Sequence, residues 1–130
     1  MEAEPTPRAP DELTGLEVLT LTEELALGRV TVSDATRQPM GLVHGGVYAT
    51  VAEQLAARAT TNALRAEGLV AQAISNQVSF LRPVLEGTFR VEARRRHRGR
   101  TTWLWEVDVE DDAGRVCAIV RVTLAVRPPA

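Results

Sequence analysis

The chain has 130 residues, 45% of them apolar and only 4% aromatic, which fits one compact domain with a core of mainly aliphatic side chains. Its net charge of -2 argues against general nucleic-acid binding, although all 15 basic residues are arginine, whose guanidinium groups favour bidentate contacts with phosphates and carboxylates. The single Cys117 excludes an internal disulfide framework. Because the sequence has no apolar N-terminal segment and no apolar run of membrane-spanning length, we expect a cytoplasmic protein that does not contact membranes.

The N-terminal part of the chain predicts a flexible leader followed by two strands. Three prolines among acidic and small residues indicate a leader over residues 1–12, so the domain is expected over 13–127, with a short tail at 128–130. Residues 16–32 are mostly apolar, and the polar segment 22–24 interrupts them. This pattern predicts two strands joined by a turn.

The middle of the chain has helical periodicity. Apolar side chains recur at every fourth position from Val47 to Ala63, which predicts a helix between Val47 and Ala66 that ends at Gly68. Glu53 falls outside this apolar stripe, so a ligand or another chain is able to approach it if its neighbours are small. The residues predicted to lie beside it are Ala49, Ala56, Ala57 and Thr60.

After the helix the periodicity changes to two residues, which is typical of strands. Alternating patterns predict four strands around residues 74–81, 89–94, 103–110 and 116–124, with a turn at the acidic and glycine-containing cluster 111–114. Two strands, one long helix and four further strands indicate an α+β domain, in which a single antiparallel sheet covers the helix.

A His-Gly-Gly motif at the predicted start of the helix is the first feature with chemical meaning. A helix N-terminus offers unpaired N–H groups and a partial positive charge, which suit a developing oxyanion. Glu53, eight residues after Gly45, is then a candidate base or nucleophile. Each residue also has a purely structural interpretation: Glu53 as a solvated helix carboxylate, His44 as a helix cap, and Gly45 as a residue that permits a tight turn.

Four segments of the chain carry a resemblance to a known family when they are taken in order. They are His44-Gly45-Gly46 with Glu53, Val78 to Pro83, His97 to Arg100 leading into Trp105-Glu106-Val107, and Asp111 to Ala118. Together they resemble the hotdog-fold acyl-CoA thioesterases of the 4-hydroxybenzoyl-CoA and phenylacetic-acid-pathway type, over roughly residues 14 to 127. Because residue 53 is glutamate rather than aspartate, the chain resembles the branch that includes the thioesterases acting on 1,4-dihydroxy-2-naphthoyl-CoA.

This resemblance implies a hotdog fold, with one long central helix wrapped by a single antiparallel sheet. It implies hydrolysis of an aromatic (phenylacetyl-, hydroxybenzoyl- or hydroxynaphthoyl-like) or medium-chain acyl-CoA to the free acid and CoA. Glu53 would act as nucleophile or general base, and the Gly45 N–H would polarise the thioester carbonyl. Gln38 and His44 would orient the carbonyl or water. No metal and no cofactor is implied, since CoA is part of the substrate. The residues implied in substrate binding are Gly46, Ala57, Thr60, Arg82, Gly99, Arg100 and Thr101.

Arginine is concentrated at residues 94–100, where five of seven residues are arginine. This run is typical of a solvated charged surface, and it would equally suit the phosphates of CoA. Nucleic-acid binding is the competing use, which the acidic net charge disfavours.

The family resemblance further implies a homodimer, pairing into a homotetramer, with active sites between subunits that take Gly45 and Glu53 from different chains.

Two other functions remain open at this point. A hotdog acyl-thioester dehydratase or hydratase would use His44 and Glu53 on a β-hydroxyacyl or enoyl thioester, and a noncatalytic acyl-CoA-binding module would bind CoA without turnover.

Two expectations concern packing alone. Cys117 lies in an apolar strand pattern and is expected to be a small buried residue rather than a nucleophile, and Trp103 and Trp105 are expected to pack in the core or an interface.

Overall fold

A computed structural model describes residues 13–130, so the predicted leader at 1–12 lies outside the described residues. Two strands, one long helix and four strands follow one another along the chain, as predicted. The strands and the helix are β1 (Glu17–Leu21), β2 (Leu25–Thr31), α1 (Gly45–Ala63), β3 (Val70–Phe80), β4 (Thr88–Arg98), β5 (Thr102–Glu110) and β6 (Val116–Arg127), and short 3-10 turns occupy Asp34–Thr36 and Arg65–Glu67.

All six strands form one antiparallel sheet with the order β1-β2-β4-β5-β6-β3. Strands β4, β5 and β6 follow each other as a meander. Strand β3 pairs with β6 only, so one of its edges has no partner strand within the described part of the chain. Such an edge presents unpaired N–H and C=O groups to whatever lies beside it.

The core lies between α1 and the face of the sheet that packs against it. Alternate residues of β4 and β5 are buried, as the two-residue periodicity predicts for strands with one solvated face. Mostly aliphatic side chains surround the two tryptophans, which are both buried as expected. The buried positions of these two strands are Phe89, Val91, Ala93, Trp103, Trp105, Val107 and Val109.

Helix α1 begins at Gly45, two residues before the predicted start, and Gly68 ends the following 3-10 turn with φ +70°. The buried face of α1 is wider than the predicted apolar stripe. Each residue advances the helix by about 100°, and two adjacent rows of side chains reach the sheet. Ala56 and Thr60, which were predicted to lie beside Glu53, are buried against the sheet instead. That part of the prediction is wrong.

Strand β3 also departs from its predicted pattern. A β-bulge between Ala73 and Ser75 inserts one extra residue, which shifts the alternation of side chains. Ile74 was predicted to share a face with Asn76, yet it is 58% exposed, while Asn76 is half-buried and bonded to the helix. Phe80, at the end of the strand, is 63% exposed.

Candidate active site

The start of α1 carries a backbone donor that has no acceptor among residues 13–130. His44 is the N-cap, and its Nδ1 accepts the Gly46 N–H at 2.9 Å, so the proton of a neutral imidazole lies on Nε2. The Val47 N–H donates to the His44 carbonyl at 2.9 Å. Among residues 13–130, no backbone or side-chain acceptor receives the Gly45 N–H. Within the described part of the chain, this N–H is therefore a free donor at the positive end of a long helix.

Phe80 packs directly on Gly45. A Cβ built on Gly45 would lie 2.7 and 2.8 Å from Cε1 and Cζ of the Phe80 ring, closer than a real Cβ contact. Glycine is therefore required for the ring to lie where it does. Because the ring is the exposed end of a flexible side chain, it can also move away from the helix.

A cavity of about 520 Å³ opens beside this donor. It brings together three residues predicted from the sequence, namely Gln38, Gly45 and Arg82, and most of the other lining residues are apolar. Those other lining residues are Leu42, Val43, Tyr48, Phe80, Leu81 and Pro83. Concave, largely apolar cavities with a few polar groups are typical of small-molecule sites.

The loop before α1 fixes the position of Gln38. Its backbone N–H donates to the Leu42 carbonyl at 2.7 Å, and the Gly41 N–H donates to the Gln38 carbonyl at 2.9 Å. The side-chain Oε1 accepts the Met40 N–H. Because this oxygen is occupied, the side-chain NH2 is the group that remains for a substrate carbonyl or water.

Tyr48 lies in the wall of the same cavity and is buried. Its ring meets the Phe89 ring edge-on, with 5.4 Å between centroids, and its hydroxyl has no hydrogen-bond partner among the described residues. Burial raises the pKa of Tyr48 to about 12, so the hydroxyl stays protonated.

Glu53 does not line this cavity. It is exposed on α1, and at about 1.5 Å of rise per residue it lies about 12 Å along the helix from Gly45. Asn76 of β3 is its neighbour: Nδ2 lies 3.4 Å from Glu53 Oε1 and donates to the Ala49 carbonyl at 2.9 Å. Within one chain, the predicted base and the predicted carbonyl-binding N–H are therefore apart.

Of the residues predicted to bind substrate, Gly99, Arg100 and Thr101 lie at the opposite end of α1, whereas Arg82 lines the Gly45 cavity. Gly99 and Arg100, in the turn between β4 and β5, line a second cavity of about 320 Å³ together with Leu64, Glu67 and other residues. Thr101 follows them in this turn. A helix of 19 residues spans about 28 Å, so this cavity is remote from Gly45 in the same chain.

Most of the arginine-rich segment is engaged in ion pairs, as the structural interpretation predicts. Four arginines pair with acids within 4 Å: Arg94 with Glu92, Arg95 with Glu23 and Glu24, Arg96 with Glu106, and Arg98 with Glu23. Arg95 and Arg98 also lie 5.1 and 4.9 Å from the centre of the Trp103 ring. Arg82 and Arg100 form no ion pair with another described residue, which leaves them available to an anionic ligand.

Thr60 and Ala57 do not join either cavity. Thr60 is 0% exposed, and its hydroxyl donates to the Ala56 carbonyl at 2.8 Å and accepts the Trp105 indole N–H at 2.9 Å. Thr60 therefore joins the helix to the sheet, and the expectation that it touches substrate is not supported. Ala57 is half-buried one turn after Glu53, and Gly46 is exposed beside its cap.

The other titratable groups of residues 13–130 add no second site. Cys117 is buried as expected, and burial raises the pKa of its thiol, which makes it a poor nucleophile. Within residues 13–130, no three His, Cys, Asp or Glu side chains are grouped closely enough to hold a metal ion. No helix in this part of the chain is sufficiently long and apolar to cross a membrane.

A family model described as the thioesterase superfamily matches residues 40–118, which include the helix, every residue of the cavity wall except Gln38, and the turn at Gly99. The chain belongs to the thioesterase superfamily. The thioesterase is 35% identical over 112 residues to the proofreading thioesterase EntH of Klebsiella pneumoniae, covering 86% of this chain and 81% of that protein. It is 33% identical over 115 residues to EntH of Cronobacter turicensis, covering 88% of this chain and 83% of that protein.

Solved structures give the same result. A mutant thioesterase from Pseudomonas aeruginosa superposes with a TM-score of 0.85 at 29% identity, covering 91% of this chain and 85% of that one. A thioesterase from Haemophilus influenzae superposes with a TM-score of 0.83 at 28% identity, covering 89% of this chain and 80% of that one. The predicted hotdog fold is confirmed, and so is the predicted enzyme class: the chain is a thioester hydrolase.

Proposed function

We propose that the thioesterase hydrolyses an aromatic or medium-chain acyl-CoA to the free acid and CoA. The observation that carries this proposal is the Gly45 N–H, which has no acceptor in the described residues and lies at the wall of a largely apolar cavity of about 520 Å³. A thioester carbonyl at this N–H would place its acyl group among Leu42, Leu81 and the two aromatic rings of the cavity. The volume lies within the range of about 300 to 1,000 Å³ that small-molecule pockets have.

The catalytic site is completed by a second copy of the chain. A reacting carbonyl must lie about 3 Å from both its oxyanion donor and its attacking or base group. The spacing of about 12 Å between Gly45 and Glu53 along one helix disfavours this within a single chain. Glu53 of the partner subunit therefore acts on the thioester that Gly45 binds.

The edge of β3 supports this arrangement. It has no partner strand in the described residues, and Ile74 and Phe80 expose large apolar surfaces along it. Pairing two β3 edges around a two-fold axis makes one continuous sheet and lays the two α1 helices side by side in opposite directions. The Gly99 turn of each subunit then approaches the Gly45 cavity of the other. Two such dimers would form the expected tetramer.

This pairing brings Arg82 and Arg100, which form no ion pair with another described residue, to one ligand. Arg82 lies at the Gly45 cavity, and Arg100 lies at the opposite end of the helix of the same chain. In an antiparallel pair of helices, Arg100 of one subunit faces Arg82 of the other. Both guanidinium groups are thus placed to form charge-assisted hydrogen bonds with the phosphates of CoA.

The proposed reaction uses protein residues and water, with CoA entering as part of the substrate. As general base, the Glu53 carboxylate takes a proton from water while the water oxygen attacks the carbonyl carbon. As nucleophile, the carboxylate itself attacks, and water then cleaves the resulting anhydride. In both routes the Gly45 N–H stabilises the oxyanion, helped by the Gln38 NH2 and the His44 Nε2–H, before the C–S bond breaks. The departing thiolate needs little protonation, since thiols have a pKa near 8.5.

Release of CoA thiol, followed with a thiol-reactive dye, tests this function. The substrates are benzoyl-, hydroxybenzoyl-, phenylacetyl-, hydroxynaphthoyl- and straight-chain acyl-CoAs, with the wild type, Glu53→Ala and the control Glu86→Ala, which removes another exposed carboxylate. Glu53→Ala is expected to lose about 10²- to 10⁴-fold in kcat with its fold intact, while the control keeps the wild-type rate. An active Glu53→Ala, or no release from any substrate by the wild type, would contradict the proposal.

A further inference from the structure

The helix turn that carries Glu53 is held from the side by one residue of the edge strand β3. The Asn76 Nδ2 donates to the Ala49 carbonyl at 2.9 Å and lies 3.4 Å from Glu53 Oε1. Ala49 is four residues before Glu53, so its carbonyl belongs to the same helical turn. One amide group therefore contacts both the backbone of that turn and the carboxylate projecting from it.

Asn76 is an unexpected residue at this position. The neighbouring inward-facing residues of β3, Ala73 and Val78, pack against the apolar core, and the Asn76 Oδ1 is buried without a hydrogen-bond partner in the described residues. An unpaired buried carbonyl destabilises a fold, and leucine has nearly the same branched shape without that oxygen. A buried polar residue with an unpaired atom at such a position is typical of a functional site.

The geometry points to Asn76 as a positioning residue that orients the Glu53 carboxylate toward the neighbouring subunit. The amide contacts Oε1 only, and Oε2 has no hydrogen-bond partner in the described part of the chain. Glu53 is otherwise exposed, and an exposed glutamate samples many rotamers. A donor fixed between helix and sheet restricts this motion and leaves Oε2 directed at water or the thioester carbon. This inference rests on the proposed function of Glu53.

Two isosteric substitutions test it. Asn76→Leu keeps the shape and removes both polar atoms, and Asn76→Asp keeps the shape and replaces the donor by an oxygen beside Glu53. The control is Gln77→Leu, which changes the exposed amide residue next to Asn76 on the same strand. Measurements are kcat and KM for the best acyl-CoA, the melting temperature, and the oligomeric state by gel filtration.

Asn76→Leu is expected to lower kcat about 10- to 100-fold, with KM changed less than about threefold and the melting temperature equal to or above that of the wild type. Asn76→Asp is expected to lower kcat further, because like charges then face each other. Gln77→Leu should keep the wild-type kcat. This combination of lower turnover and retained stability is not what a purely structural residue gives.

The inference is wrong if Asn76→Leu keeps the wild-type kcat, and equally wrong if kcat and melting temperature fall together. A Glu53→Gln variant, assayed in parallel, separates this failure from failure of the proposed function. An active Glu53→Gln overturns the catalytic role of Glu53 itself. An inactive Glu53→Gln beside a fully active Asn76→Leu overturns only the role of Asn76.

Discussion

Replacing Gly45 by alanine should separate stability from activity. The new Cβ would lie 2.7 Å from Cε1 and 2.8 Å from Cζ of Phe80, so the ring must move. The movement is inexpensive, because Phe80 is a flexible side chain that is 63% exposed. Gly45 has no positive φ, so alanine fits its backbone, and replacing glycine by alanine at such a position stabilises a fold by about 0.4 to 1 kcal/mol through the unfolded chain. The free energy of unfolding of Gly45→Ala is therefore expected to equal or slightly exceed that of the wild type.

Activity is expected to change in the opposite direction. The methyl group stands beside the N–H that the thioester oxygen approaches, so this hydrogen bond is lost or lengthened in the transition state. Removing one oxyanion donor lowers kcat by about 10² to 10³, or about 3 to 4 kcal/mol of transition-state stabilisation. The predicted variant is as stable as the wild type and nearly inactive.

The assay combines thermal unfolding with thiol release, and Phe80→Ala and the Gly45→Ala/Phe80→Ala double variant serve as controls. If blocking of the N–H causes the loss, the double variant stays inactive. If displacement of the ring causes it, Phe80→Ala alone is inactive too. A Gly45→Ala enzyme with the wild-type kcat, or one whose loss of activity accompanies unfolding, would refute the reasoning.

Three further predictions concern the core and the arginines. Thr60→Val leaves the buried indole N–H of Trp105 without its acceptor, so the free energy of unfolding should fall by about 1 to 3 kcal/mol. Calorimetry should then show a melting temperature lower by about 3 to 10 °C, while kcat is retained. Arg100 forms no ion pair with a described residue, and Arg100→Ala should raise KM for acyl-CoA about tenfold. Arg96 is already paired with Glu106, so Arg96→Ala should change KM less than about twofold in the same assay. Because burial raises the pKa of the Cys117 thiol, a thiol reagent should not label the native protein but should label one thiol per chain in denaturant.

The regular elements were predictable because their signals are local. A four-residue periodicity produced α1, a two-residue periodicity produced the strands, and Gly68 marked the end of the helical region through its left-handed backbone. The bulge at Ile74 was not predictable, since an extra residue in one strand leaves no mark on composition. The burial of Thr60 was missed because one apolar stripe was counted where two adjacent rows reach the sheet.

The candidate site was predictable only in part. The His44-Gly45-Gly46 motif located the helix start, and its cap geometry follows from the histidine itself. The contact between Phe80 and Gly45 and the contact of Asn76 with Glu53 join positions far apart in the chain, and no spacing rule shows such pairs. The small residues near Glu53 in the sequence predicted that a ligand can approach its carboxylate. The separation of Glu53 from Gly45 along the helix becomes clear only from the structure.

The central claim is that Gly45 and Glu53 act together from different subunits, and mixed oligomers test it most directly. Glu53→Ala and Gly45→Ala chains are each purified as inactive proteins, then unfolded together in equal amounts and refolded. Random pairing makes half of the dimers hybrids, and each hybrid has one site with both residues intact, so about a quarter of the wild-type activity should return. If both residues act within one chain, every site in the mixture carries a defect, and the mixture would stay as inactive as its parents.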